Sequence, residues 1–180
     1  MRLDSASRTL LALAGALILT FTAAAIGARA SADAATFYGA LDKPSFAHPA
    51  RHRSREWRPS FAPPGWIFGP MWTLLYLMMA LAAFGVWKIR GWAGARGALV
   101  LYVVQLVFNA LWSVFFFGMR LGTASLVDIA ILWLLVLATL VAFWRVRFGF
   151  GLMLLPYLLW VSFAAVLNAA VVRMNPGAFG

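Results

Sequence analysis

The side chains able to do chemistry in this 180-residue chain are few and of a narrow kind. There is no Cys, which excludes disulfides, thiolate metal sites and a cysteine nucleophile. No residue set resembles a hydrolytic triad, a metal centre or an acid–base pair. What recurs is tryptophan, nine in all, placed at helical spacings with tyrosine and amides. Gln105, Asn109 and Trp112 fall at i, i+4 and i+7, one face of a helix. Tyr157, Trp160, Ala164 and Asn168 share a face in the same way, as do Trp72 and Tyr76. Indole and phenol rings arranged like this stack on a flat, apolar molecule, and a few amides orient it. The competing explanation is packing: amides bond across helices and tryptophans form interfacial belts. The ensemble favours a pocket. Asp128 reads differently, as a structural group holding a neighbouring Ser, Asn or backbone N–H.

The elements that must carry these residues follow from composition. The chain is 64% hydrophobic and 11% charged, with mean hydropathy +0.87. A soluble domain carries about a quarter charged residues, so a soluble enzyme and a disordered chain are both excluded. Charges divide the sequence into uncharged runs of 20 (Thr9–Ala28), 29 (Pro59–Trp87), 23 (Gly97–Met119) and 25 residues (Phe148–Val172). A further run of 24 residues, Leu121–Trp144, is broken only by Asp128. A helix needs about 20 residues to cross the ~30 Å hydrocarbon layer. The prediction is an all-α, multi-pass integral membrane bundle of five transmembrane helices, one domain over residues 1–180, with no barrel-like alternation. The net charge of +10 sits in the short gaps between apolar runs, which fits lipid headgroups rather than nucleic acid.

The first run reads in two ways. Arg2 and Arg8 precede it and Ala28-Arg29-Ala30 follows, as in a cleavable signal; its full spanning length favours retention. The second helix proper is placed from about Pro70, in its first turn, after an extended aromatic-rich approach. Residues 29–65 form a long first loop, and residues 88–96 and 145–147 form loops at the other end. Orientation is undecided, because seven basic residues fall on one side and eight on the other. With these directions, Trp72, Asn109, Trp112, Asp128, Ala164 and Asn168 all lie in one half of the bilayer. Their depth is roughly 7–17 Å from the side of the long loop. The loop carries a tandem duplication: Lys43-Pro-Ser-Phe-Ala-His-Pro49 recurs 15 residues later as Arg58-Pro-Ser-Phe-Ala-Pro-Pro64. His48 and His52 lie four apart, but Pro49 separates them and no carboxylates support a metal, so they read as solvated.

The run Phe61-Ala-Pro-Pro-Gly-Trp66-Ile-Phe68-Gly-Pro70-Met-Trp72-Thr-Leu-Leu-Tyr76 resembles the signature at the second helix of the TspO/MBR family. This is the family of tryptophan-rich sensory proteins and translocator proteins, also called peripheral benzodiazepine receptors. Gln105-Leu-Val-Phe-Asn109-Ala-Leu-Trp112, Leu126-Val-Asp128 and Leu155-Pro-Tyr157-Leu-Leu-Trp160-Val-Ser-Phe163-Ala164-Ala-Val-Leu-Asn168 agree in order. Upstream, Phe37-Tyr38-Gly-Ala-Leu41-Asp-Lys43-Pro44 is similar too. The resemblance covers residues 8–175 and implies a retained first helix. It also implies a five-helix bundle, commonly a homodimer, with a ligand pocket beneath the first loop. The implied ligands are tetrapyrroles such as protoporphyrin IX and synthetic benzodiazepine-type or isoquinoline compounds, with no required cofactor and no metal. The candidate ligand-binding set is Trp66, Phe68, Trp72, Tyr76, Asn109, Trp112, Tyr157, Trp160, Ala164 and Asn168, of which Trp72, Asn109, Trp112, Trp160 and Ala164 match pocket positions of the family. Some bacterial members promote light-dependent porphyrin breakdown, and the two tryptophans tied to it match Trp72 and Trp160.

Three departures stand out. A family tryptophan in the first loop is Phe37 here, the loop is longer by the duplication, and no Tyr precedes Arg173 as the sterol pattern requires. Three functions compete. They are a tetrapyrrole-binding protein with a sensory, regulatory or transport role, a photo-oxidative porphyrin-degrading enzyme, and an active transporter. The last is the weakest, since five helices do not split into repeated halves.

Overall fold

A computed structural model describes residues 4–43 and 64–179. The duplicated loop motif lies almost wholly outside the described residues, as do His48, His52 and Arg58. The described chain is helical, with no strand: α1 (Ser5–Ala30), α2 (Ala34–Ala40), α3 (Phe68–Ser113), α4 (Gly122–Val146) and α5 (Phe148–Met174). A 3-10 turn, Gly65–Ile67, leads into α3, so the approach to the second span is a tight turn rather than extended chain there. Pro70 occupies the first turn of α3, where its missing N–H leaves no bond unmade.

The five expected spans appear as four long helices because α3 holds two of them. Its helical run continues through the π turn Val114–Gly118, 51 residues from Phe68, or about 75 Å if straight. That is more than twice the hydrocarbon layer, and the chain turns back at Gly91. Gly91 has φ +65°, a conformation that costs glycine nothing and L side chains dearly. The reversal brings Gln105 Nε2 to 3.6 Å from Met79 Sδ. The 88–96 interval, expected as a loop, is therefore two helix ends meeting at one glycine. Its charges mark the membrane surface, not the end of helical backbone. The first loop likewise holds a helix, α2, seven residues long.

Lipid tails are as apolar as leucine, so the spans are held by close packing and interhelical hydrogen bonds. Thr20 of α1 bonds Tyr102 in the second limb of α3, and Phe21 packs on Tyr76 in the first limb. A Cβ on Gly27 would lie 3.1 Å from Ser113 Oγ, so α1 runs close beside the end of the second limb. On the opposite side, α4 and α5 pair along their length through Ser125 to Asn168 (3.3 Å) and Trp133 to Ser162 (2.8 Å). Large apolar side chains such as Ile18, Leu134, Leu159 and Val166 point outward, as lipid-facing residues do.

Candidate functional site

A cavity of about 580 Å³ lies between α1, α2 and the two limbs of α3. It falls within the ~300–1,000 Å³ range of small-molecule sites. Its floor and one wall come from Phe68, Trp72 and Tyr76, which the helical repeat places one turn apart on the first limb. The second limb contributes Trp112 and Ser113, and the π turn after it adds Phe117. Facing them, α1 and its C-cap present Phe21 and, beyond it, Ala24, Gly27, Ala28 and Ser31, small side chains that leave the space open. The α2 residues Ala34, Ala35 and Tyr38 complete the enclosure.

An aromatic network backs this wall. Trp72 stacks on Tyr76 (5.4 Å, 28°) and meets Tyr157 and Trp160 edge-on at 6.1 and 6.5 Å. Phe68 lies between Tyr38 (5.7 Å) and Trp160 (5.8 Å), both edge-to-face. Asn109 sits behind the rings. Its Oδ1 accepts from Tyr76 Oη and its Nδ2 donates to Tyr157 Oη at 3.0 Å, tying both limbs of α3 to α5. With its partners met, Asn109 fixes Tyr76 and Tyr157 in position.

The lining carries no charged side chain. Two of its polar groups are buried without a partner among the described residues, Tyr38 Oη and Trp112 Nε1. Burial pushes the Tyr38 phenol up to about 12, so it stays a neutral donor at physiological pH. The Lys43 Nζ lies 4.8 Å from the Tyr38 ring centroid and donates to Leu41 O at 2.9 Å.

Four of the ten residues singled out from the sequence line the cavity: Phe68, Trp72, Tyr76 and Trp112. Tyr157, Trp160 and Asn109 form the layer behind them. Ala164 packs half-buried against the core, and Asn168 is buried between α4 and α5. Trp66 is 74% exposed, just before α3. Asp128 departs from expectation. Ser125, not Asp128, holds Asn168, and Asp128 Oδ2 has no partner among the described residues. No cluster of three His, Asp or Glu suited to a metal occurs among the described residues.

The profile of the TspO/MBR family matches residues 14–174. The chain belongs to the TspO/MBR family. The tryptophan-rich sensory protein of Cereibacter sphaeroides is 38% identical over 165 residues, covering 89% of this chain and 92% of that protein. The tryptophan-rich protein TspO of Chlorobaculum tepidum is 44% identical over 121 residues, 66% of this chain and 76% of its own length. The human translocator protein is 38% identical over 122 residues, 67% of this chain and 72% of its own. Family and helices together make this a multi-pass integral membrane protein.

For this TspO/MBR chain, sequence reasoning passed over the α1 and α2 side of the cavity. Polar and aromatic residues drew attention to the spans from Trp72 onward. The missed signal was an absence of bulk: Ala24, Gly27, Ala28 and Ser31 recur at three- and four-residue steps. In a membrane helix such a face lets another element, or a ligand, come close.

Proposed function

We propose that this protein binds a tetrapyrrole of the protoporphyrin IX class in the cavity between α1, α2 and α3, in a sensory or transport role in its membrane. The observation that carries the reading is Trp72. Its ring lines a 580 Å³ apolar space while Tyr76, Tyr157 and Trp160 hold it from behind. A fixed indole face offers a large stacking surface at little entropic cost. The uncharged lining suits the macrocycle, and a propionate left at the rim meets the Lys43 ammonium. Family membership supports the broader role, since relatives carry the names tryptophan-rich sensory protein and translocator protein. Binding on this reading needs no metal or further cofactor. Two chains are proposed to associate as a homodimer.

Protoporphyrin IX titrated into the detergent-solubilised protein should quench tryptophan fluorescence saturably. Trp72→Phe combined with Trp160→Phe should weaken binding about tenfold, on the ~1–3 kcal/mol worth of a stacked base-sized ring. Unchanged affinity in the double variant, followed by porphyrin absorbance, removes this site.

A second reading is favoured by one contact, the edge-on approach of Trp160 to Trp72 at 6.5 Å. On this reading the excited pigment takes an electron from Trp72, relayed from Trp160, and passes it to dioxygen, which becomes superoxide. The indole cation regains an electron from the pigment, so the pigment is the species oxidised and the indoles act as relays. Porphyrin loss under illumination no faster than with the double variant excludes it.

A further inference from the structure

One wall of the cavity is supplied by neither α1 nor α3. It is α2, seven residues long, with no side-chain hydrogen bond at its N-cap. Isolated helices under about 12–15 residues are marginal in water. So α2 stands where it does because other elements hold it there.

On its cavity face Tyr38 meets Phe68 edge-on. The rest of the hold comes from the residues that follow α5. Asn175, at the C-cap of α5, accepts from the Asp42 N–H through Oδ1 at 2.8 Å. Its Nδ2 donates to the Asp42 carbonyl at 2.9 Å. One side chain thus pairs both backbone groups of Asp42, two residues past the end of α2, as a neighbouring strand would. The same Nδ2 donates to Val171 O at 2.8 Å, which fixes the amide orientation from α5. Four residues on, Phe179 packs edge-on against Phe37 of α2 at 5.7 Å and at a tilt against Phe116 at 5.3 Å. Phe37 is also covered by the Arg120 guanidinium, 4.7 Å from its ring centroid. Gly122 leaves the room: a Cβ there would fall 3.1 Å from Phe179 Cβ.

We propose that Asn175 and Phe179 latch α2 in place as the roof of the cavity and so govern how fast a ligand enters and leaves. They are positioning residues. Neither lines the cavity, so they act on the rate of opening rather than on what is recognised. A ligand beneath Tyr38 and the latch beyond Phe37 favour one placement of α2, so each strengthens the other. The latch is independent of ligand identity; its control of exchange rests on the cavity being the binding site.

The test has two arms on the full chain in detergent. Hydrogen exchange of amides 34–42 is measured without ligand, and protoporphyrin IX release is followed by stopped-flow recovery of tryptophan fluorescence. Asn175→Ala and Phe179→Ala should speed exchange in 34–42 while amides in the middle of α4 and α5 stay unchanged. Porphyrin release should be about tenfold faster, the scale of one or two lost hydrogen bonds. Asn175→Asp loses both donated bonds and sets a carboxylate oxygen against the Asp42 and Val171 carbonyls, so it should speed exchange in 34–42 at least as much as Asn175→Ala, and it serves if Asn175→Ala does not fold. Unchanged exchange in 34–42 overturns the latch. Faster exchange with porphyrin release altered less than twofold overturns its control of ligand passage. If the unaltered protein does not take up protoporphyrin IX, the porphyrin reading fails, and the exchange arm still decides the latch.

Discussion

The two flanks of the second span are built to different standards. Helix α4, of 25 residues, buries nine, from Gly122 to Phe143, while the 26-residue α1 buries three, Thr20, Ala23 and Gly27. On the α4–α5 side, Phe143, Leu154 and Tyr157 are fully buried and glycines mark van der Waals contact between helices. On the α1 side small residues border open space. Rigid packing and ligand capacity are therefore separated across one molecule: the α4–α5 half holds Trp72 and Tyr76 still from behind, and the α1–α2 half leaves the volume in front. On the proposed reading α1 and α2 are the elements that admit the ligand, and such elements belong to the less stable end of a structure.

The sharpest contrast is between two glycines. A Cβ on Gly151 would stand 2.9 Å from Trp144 Cα, while one on Gly15 of α1 meets nothing within 4 Å. Backbone cannot move aside as a side-chain tip can, so Gly151→Ala should cost about 1–3 kcal/mol of stability. Gly15→Ala should stay within about 0.5 kcal/mol. Unfolding in mixed micelles, monitored by circular dichroism, gives both values. Equal values would erase the distinction between the two sides.

The second contrast concerns where a ligand sits. Ala28 lines the cavity, whereas Ala164 lies half-buried on α5 outside it. Filling the cavity with Ala28→Phe should weaken protoporphyrin IX binding at least tenfold, or about 1.4 kcal/mol. Stability should change by no more than about 0.5 kcal/mol, because the Ala28 side chain is exposed. The reverse pattern, with Ala164→Phe weakening binding and Ala28→Phe not, would place the ligand against α5. Equilibrium titration of the two variants separates these outcomes.

The same division explains what the sequence allowed to be read. Runs of 20 or more residues with at most one charge report hydrocarbon thickness directly, so the five spans were legible. Asn109 was legible because a buried amide in a membrane needs partners, and its spacing from Gln105 and Trp112 set the face. Gly91 was not: Lys88, Arg90 and Arg96 mark where the chain meets headgroups, and a helix can continue through that zone until one residue takes a left-handed turn. The helix α2 was hidden because seven residues carry less than two turns of the helical repeat. Half of the cavity was hidden because Ala24, Ala28 and Ser31 form a wall by being small, and an inventory of reactive side chains passes over them. Asn175 was hidden for another reason, since its partner Asp42 is 133 residues away and contributes only backbone.

The smallest expected effect tests the loose side locally. With so little of α1 buried, its first turn depends on its cap: Asp4 Oδ1 accepts the Ser7 N–H at 3.0 Å. The Ser7 hydroxyl, and with it this backbone N–H, holds the Asp4 carboxyl below the usual carboxylate range. A depressed folded-state value means the cap is at full strength above the unfolded carboxyl's ordinary pKa, about 3.9, and is lost as pH falls through the folded value. Exchange of the Ser7 amide, corrected for its intrinsic pH dependence, should therefore lose protection below about pH 4. In Asp4→Asn the cap remains without a titrating group, so the amide should show no such step. Amides of α4 and α5 should show no step in either protein, because packing rather than a surface carboxylate holds them. A loss of protection spreading from Ser7 into α4 would mean that α1 is locked to the rest of the bundle, against the contrast drawn from its burial.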